Sequence, residues 1–263
     1  MFQVVTSLAA PDPPVHSESL RETLRMAAGM FRRPQPVTVA MVVLFAIIPF
    51  YLVIGVVVAG GPVNVPELAL DAAVPLQPFW SVIYGSLFLA ALLPGFVVHQ
   101  QKLLQRAILA YLALWLVSFI CFLAYPTAAP LHAKVAGNGF FEWALLSIYG
   151  SDVHYNCFPS LHVAQCFLAA FVCYRVNRGV GVVTGVWAFF VGLSTLYTKQ
   201  HYILDVIAGA LLAYAAYLVF LRSYPRDAIP ELDRRVAPVL AAGAFAAYGL
   251  MLVGFLFLYL YGG

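Results

Sequence analysis

Seven long stretches of this chain, at about residues 37–60, 79–98, 107–125, 160–174, 180–197, 201–221 and 236–261, hold one Asp, Glu, Lys or Arg between them, Asp205. Such runs leave few options. A segment in lipid must satisfy its own backbone N–H and C=O groups, which favours a helix closed on itself. A crossing takes about 20 apolar residues. The chain is 63% apolar and 10% charged, against roughly 25% charged for an average globular protein. A soluble domain is therefore excluded, and so is disorder, which needs low hydrophobicity and high charge. The expected fold class is all-α, a polytopic helical bundle in a membrane.

Other classes fall away on composition. The net charge of +3 is spread too thinly to point to nucleic acid. Cys121, Cys157, Cys166 and Cys173 form no Cys-x-x-Cys pair, so neither a disulfide framework nor a zinc knuckle is expected. The first apolar stretch, residues 2–10, is short and follows no basic residue, so it is not read as a secretory signal.

The loops carry a sidedness. Of the 14 Lys and Arg, all but Lys134 and Lys199 fall in the N-terminal tail and the loops after the second, fourth and sixth runs. Basic residues in short loops stay on the cytoplasmic side, so the expected topology is N-in/C-out with seven spans. The expected organisation is a cytoplasmic tail at 1–36, a six-span catalytic domain at 37–222, and a loop plus an additional span at 223–263. In the tail, Ser19 and Glu22 have capping-box spacing, and Leu20, Leu24, Ala28 and Phe31 recur at helical period, as in a short helix lying on the inner membrane surface. A solvated helix is the other reading. The location expected is a bacterial-type cytoplasmic membrane or its equivalent.

Four of the six histidines, His132, His154, His162 and His201, fall on the side expected to be extracytoplasmic. Ionisable groups near a bilayer are costly and tend to be functional. His201 and Asp205 are four apart at the head of the sixth run, so they share a helix face. Such a carboxylate fixes the imidazole tautomer and frees the other nitrogen for attack; a purely structural hydrogen bond is the alternative. In Cys157-Phe158-Pro159-Ser160-Leu161-His162, Ser160 has the place of an N-cap, and His162 lies in the first turn of the fourth span. A helix N-terminus favours a phosphate, although an ordinary capped helix with an interfacial histidine would look the same. Lys199 adds a cation on a side that has almost none. Together the groups give a nucleophile, an orienting acid and a second proton donor.

At these residues the sequence resembles the phosphatidic acid phosphatase type 2 superfamily of membrane lipid phosphatases and phosphotransferases. Its second motif, Pro-Ser-Gly-His, stands here as Pro159-Ser160-Leu161-His162. Of its third motif, Ser-Arg-x5-His-x3-Asp, Ser194, His201 and Asp205 match, and Thr195 replaces the arginine. The first motif, Lys-x6-Arg-Pro, is absent; Phe122 and Ala129 stand where its cations would be, before Pro130. Pro-Ser-Leu-His followed by Tyr197-Thr198-Lys199-Gln200-His201-Tyr202 is most similar to the branch of the inositol phosphorylceramide synthases and their bacterial relatives. The resemblance implies a six-helix core, to which the seventh span is additional. It implies attack by His201 on phosphorus, giving a phosphohistidine oriented by Asp205, with His162 protonating the leaving lipid alkoxide. It also implies phosphoryl oxygens held by Ser160, Lys199 and Ser194, with no metal and no organic cofactor.

The missing cations bear on the substrate. A phosphomonoester approaches two negative charges at neutral pH and a diester carries one; a site poor in cations suits the diester. The expected reaction is transfer of a phosphoryl headgroup, such as inositol phosphate, from a phospholipid to a lipid alcohol. The near alternative is hydrolysis of a lipid phosphate, phosphatidate or a polyprenyl diphosphate, with water as acceptor. Two further classes stay open: a metal-dependent hydrolase using His154, His162, His201 and Asp205, and a non-catalytic seven-span transporter or receptor. His132, His154, Lys134 and Tyr84 are further site candidates. The stretch around Asp71, Trp80 and Tyr84 reads first as an interfacial aromatic belt and second as a wall of the headgroup pocket. Residues 140–149 have the pattern of a helix lying over the site. Gly209 and Ala213 are small residues that allow close helix contact.

Overall fold

A computed structural model describes residues 20–30, 35–130, 135 and 137–262. His132, Lys134, Ser19 and Phe31 lie outside the described residues. The described chain is helical, with no strand beyond isolated bridges of Thr127 to Asn64 and Asn156. The helices are α1 (Leu20–Met30), α2 (Gln35–Val58), α3 (Ala69–Ala73), α4 (Trp80–Gly85), α5 (Leu89–Val97), α6 (Gln101–Ala124), α7 (Phe140–Ser151), α8 (Leu161–Val176), α9 (Arg178–Tyr197), α10 (Ile203–Ala216) and α11 (Glu231–Tyr261).

Polar side chains set several helix starts. The Gln100 carboxamide accepts from the amides of Lys102 (2.6 Å) and Leu103 (3.3 Å) to open α6. Ser160 Oγ accepts from Val163 N–H (3.3 Å) to open α8, as its N-cap spacing predicts. Asn177 is both the end of α8 and the cap of α9, its Oδ1 accepting from Val180 N–H at 3.1 Å. That one-residue hinge turns α9 sharply back along α8. Gly181 is required there, because a Cβ would stand 2.3 Å from the Tyr174 Cα.

Among the described residues, four helices are long and apolar enough to cross a membrane: Gln101–Ala124, Arg178–Tyr197, Ile203–Leu221 (α10 with the π-helical turn that continues it) and Glu231–Tyr261. The run at 79–98, expected as one span, is instead α4, a 3₁₀ turn at Ser86–Phe88, and α5 with Pro94 inside it. Ser86 Oγ donates to Ile83 C=O (2.6 Å) and accepts from Trp187 Nε1–H (2.8 Å), which pins the turn to α9. Helix α8 has only 16 residues but is almost wholly buried, packed by α5, α6, α9 and α10. It is the axis of the bundle, and Leu168 and Val172 on it form the core with Leu93, Val97 and Leu114. Helix α1 lies against α11, Met26 packing on Val236 and Leu240, while Leu24 stays exposed.

Chain direction brings particular helix ends together. The ends of α2, α6 and α9 meet the starts of α4, α8 and α10. Asn64 N–H donates to Pro126 C=O (2.8 Å), Thr127 N–H to Tyr155 C=O (3.2 Å), and Gln77 N–H to Tyr197 C=O (3.0 Å). The opposite end is held by arginines. Arg106 donates to Ser223 Oγ (3.1 Å), Arg175 to Tyr224 C=O, and Arg226 to Tyr174 C=O (2.8 Å).

Candidate active site

Two helix starts make the site, and main-chain atoms join them. Ser160 N–H, at the head of α8, donates to the backbone C=O of Asp205, in the first turn of α10 (3.0 Å). Gly209, one turn further along α10, lies under Ser160 C=O, where a Cβ would come within 2.4 Å. The contact is closed to any other residue without movement of a helix.

This docking brings His162 and His201 together edge-on, with His162 Nδ1 3.2 Å from His201 Nε2. The other ring nitrogen of His201, Nδ1, meets Asp205 Oδ2 at 3.4 Å. The same carboxylate oxygen accepts from Tyr202 N–H at 2.9 Å, which fixes it against the helix start. His201 and Asp205 are both buried, at 4% and 0% exposure. An imidazole so held keeps its proton on Nδ1 and presents the Nε2 lone pair.

His162 has a carboxylate of its own, which sequence reasoning missed. Asp152, just past α7, places Oδ2 4.0 Å from His162 Nε2. It accepts hydrogen bonds from Tyr84 Oη (2.7 Å) and Tyr51 Oη (3.0 Å), and its Oδ1 accepts from Val153 N–H (2.8 Å). Tyr84 Oη is also 3.4 Å from His162 Nδ1. Burial pushes the Asp152 carboxyl up, but the neighbouring His162 and the donors Tyr84, Val153 and Tyr51 outweigh it and hold the group below its ordinary value. The available signal was weak: Tyr51 is a polar tip inside an apolar run, and Asp152 is a loop acid ten residues before His162.

A cavity of about 480 Å³ opens beside His201, lined by Glu67, Asp71, Lys199 and Tyr202 among others. The stretch around Asp71 thus supplies a wall of this cavity. Lys199 has a left-handed backbone (φ 56°), and its ammonium donates to Val74 C=O (2.5 Å) and Asp71 C=O (3.2 Å). Asp71 Oδ1 in turn accepts from Ile203 N–H (2.8 Å), capping α10 from a distance. A second cavity of about 240 Å³ is lined by Tyr51, Tyr84, Asp152 and His162 among others.

Not every expected residue reaches these cavities. The Ser194 hydroxyl is buried and donates to Val191 C=O at 2.6 Å. Ser160 is buried with its hydroxyl on the helix cap. His154 lies in the loop before α8, where its carbonyl accepts from Ala129 N–H (2.7 Å). Tyr84 is at the heart of the site. Among the described residues, no three His, Cys, Asp or Glu side chains are grouped to hold a metal ion.

No solved structure matches the chain. The bacitracin transport permease protein BcrC of Bacillus licheniformis is 37% identical over 71 residues, which cover 27% of this chain and 35% of that protein. The sequence pattern of the PAP2 superfamily matches residues 64–219, a stretch that runs from the Asn64 tie at the site through α8 and α10 with both histidines. That match takes in more than half of the chain, and the protein belongs to the PAP2 superfamily.

Proposed function

We propose that the protein is a membrane-embedded lipid phosphotransferase that works through a phosphohistidine on His201. The observation that carries this reading is the 3.2 Å approach of His162 Nδ1 to His201 Nε2, with Asp205 behind His201. His201 Nε2 attacks phosphorus, the P–O bond to the donor lipid breaks, and His162 gives its proton to the departing oxygen. The incoming acceptor then loses a proton to His162 and displaces His201. The closed contact between the rings leaves no room for phosphorus, so substrate parts them. Amide groups at the start of α8 face the phosphoryl oxygens.

A phosphodiester donor and a lipid alcohol acceptor, as in inositol phosphoryl transfer, fit best. Lys199 is the only described Lys or Arg lining either cavity, and its ammonium already serves two carbonyls. Little cationic charge is then left for a phosphate dianion. Hydrolysis of a lipid phosphate is the second reading, favoured by the volume of the cavity beside His201, which has room for water. Seven spans with the histidine end outside the cytoplasm accord with the gathering of Lys102, Arg106, Arg175, Arg178, Arg222 and Arg226 at the other end of the helices. A transport role, which the name of the Bacillus relative carries, leaves the paired histidines without a task.

The test is an assay of purified protein in lipid nanodiscs with phosphatidylinositol plus diacylglycerol, and separately with phosphatidate. Headgroup transfer that disappears in His201→Ala is the expected result. Phosphate release from phosphatidate with no transfer selects hydrolysis. Activity that survives His201→Ala overturns both.

A further inference from the structure

The second carboxylate has no place in the motifs at Ser160 and His162 or at His201 and Asp205. We propose that Asp152, braced by Tyr51 and Tyr84, is the positioning residue of His162, aiming its Nδ1 proton at a leaving lipid oxygen whose alkyl chain lies in the second cavity, which His162 lines. This rests on the phosphohistidine reading above and assigns the other half of that reaction.

The arrangement has two matching halves. His201 turns Nδ1 to Asp205 and Nε2 to the shared point. His162 turns Nε2 to Asp152 and Nδ1 to the same point. A residue that protonates a leaving group must carry the proton on the nitrogen facing substrate while its other N–H is held. Asp152 does the holding, as an anion, since its carboxyl lies below the usual range. The 4.0 Å separation is longer than a hydrogen bond, and catalytic contacts of this kind tighten when substrate binds.

Asp152 is itself immobilised from two separate helices, by Tyr51 of α2 and Tyr84 of α4. Two phenols, Tyr84 buried and Tyr51 half-buried, donating to one carboxylate in an apolar bundle are costly to assemble for packing alone. The cavity explains them. Tyr51, Tyr84, Asp152 and His162 form its polar corner, and Leu52 and Phe88 its apolar mouth. Leu52 and Phe88 are exposed on the outside of the bundle, so the cavity opens sideways between α2 and the turn that precedes α5. An alkyl chain fits this opening while its oxygen reaches His162 Nδ1, beside the Tyr84 hydroxyl.

The chemistry balances. As the His201 Nε2–P bond forms, the P–O bond breaks and its electron pair stays on the lipid oxygen. That oxygen takes the Nδ1 proton of the His162 imidazolium, and Asp152 keeps the Nε2 proton in place. In the second half, His162 Nδ1 accepts the proton of the incoming hydroxyl, and the P–N pair returns to His201.

The test compares leaving groups on the full-length protein. Dioctanoyl phosphatidate and dioctanoyl phosphatidylinositol have alkoxide leaving groups that need a proton; 4-nitrophenyl phosphate and bis(4-nitrophenyl) phosphate release a phenolate that does not. Asp152→Asn is expected to lower kcat on the turned-over lipid by about 100-fold, within the range that proton transfer contributes. Its loss on the matching aryl ester is expected to be at least about tenfold smaller. Tyr84→Phe, which keeps the carboxylate, shifts the same ratio in the same direction, and serves if Asp152→Asn does not fold. Equal losses on both esters, or no loss on the lipid, overturn the assignment. Full activity of His201→Ala overturns the parent reading instead, whatever Asp152→Asn does.

Discussion

An imidazole attacks phosphorus only if its lone pair is free and aimed, and in the proposed reaction Asp205 arranges both for His201. Asp205→Asn leaves the size unchanged but lets the ring take the wrong tautomer, so kcat is expected to fall on the order of 10⁴-fold with little change in KM. Steady-state kinetics on the purified variant checks this. Asp152 gives a second signature, in stability. Its folded pKa is lowered, so its contribution is complete above the unfolded value of about 3.9 and disappears as pH falls through the lower folded value. Thermal unfolding in detergent should show the native protein losing stability steeply below about pH 4, and Asp152→Asn following a flatter course there. At this scale the sequence was legible where partners were local. His201 and Asp205 are one helical turn apart; Asp152 and Tyr51 are separated by 101 residues, and only the packing of α2 against the loop after α7 introduces them.

Helix starts do the positioning at the next scale up. Ser160→Ala removes the cap and is expected to cost about 1 kcal/mol, whereas Ser160→Gly costs only a few tenths. If the hydroxyl works through the cap, kinetics of Ser160→Gly stay near those of the native protein; direct binding of phosphoryl oxygen by the hydroxyl would make the Gly and Ala variants equally poor. Gly209→Ala forces its Cβ onto Ser160 C=O, and overpacking of this sort costs about 1–3 kcal/mol. A lowered melting temperature together with a lowered kcat is the expected pair of results. Helix limits were readable from charge-free runs and caps: α9 starts two residues before the expected 180, and α6 six before the expected 107, because Gln100 supplies a cap that hydropathy ignores. The break at Ser86 was not readable, since Trp187, a hundred residues away, stabilises it.

For the whole molecule the organising feature is that His154, His162 and His201 lie at one end of the helices and most of the described basic residues at the other. The expected topology puts residue 138 outside the cytoplasm and residue 227 inside. Single cysteines placed at Asn138 and Asp227, in a Cys121→Ser background, test it with a membrane-impermeant maleimide. Labelling at position 138 in intact cells, and at 227 only after lysis, is expected; the reverse pattern inverts the topology. The runs at 107–125, 180–197, 201–221 and 236–261 were legible from their lack of charge, and each corresponds to a described helix long and apolar enough to cross a membrane. The central place of α8 was not: a 16-residue apolar helix looks like any other span until its neighbours surround it.

The bond from Ser160 N–H to the Asp205 carbonyl uses no side chain. The spacing of the two reactive rings is therefore indexed by peptide groups that every amino acid possesses. Residues such as Val63, Ala72 and Leu196 around the larger chamber, or Ile48 and Leu87 around the smaller, can drift without disturbing that index. A scaffold built this way lets selection retool what is gripped while the reacting core stays put.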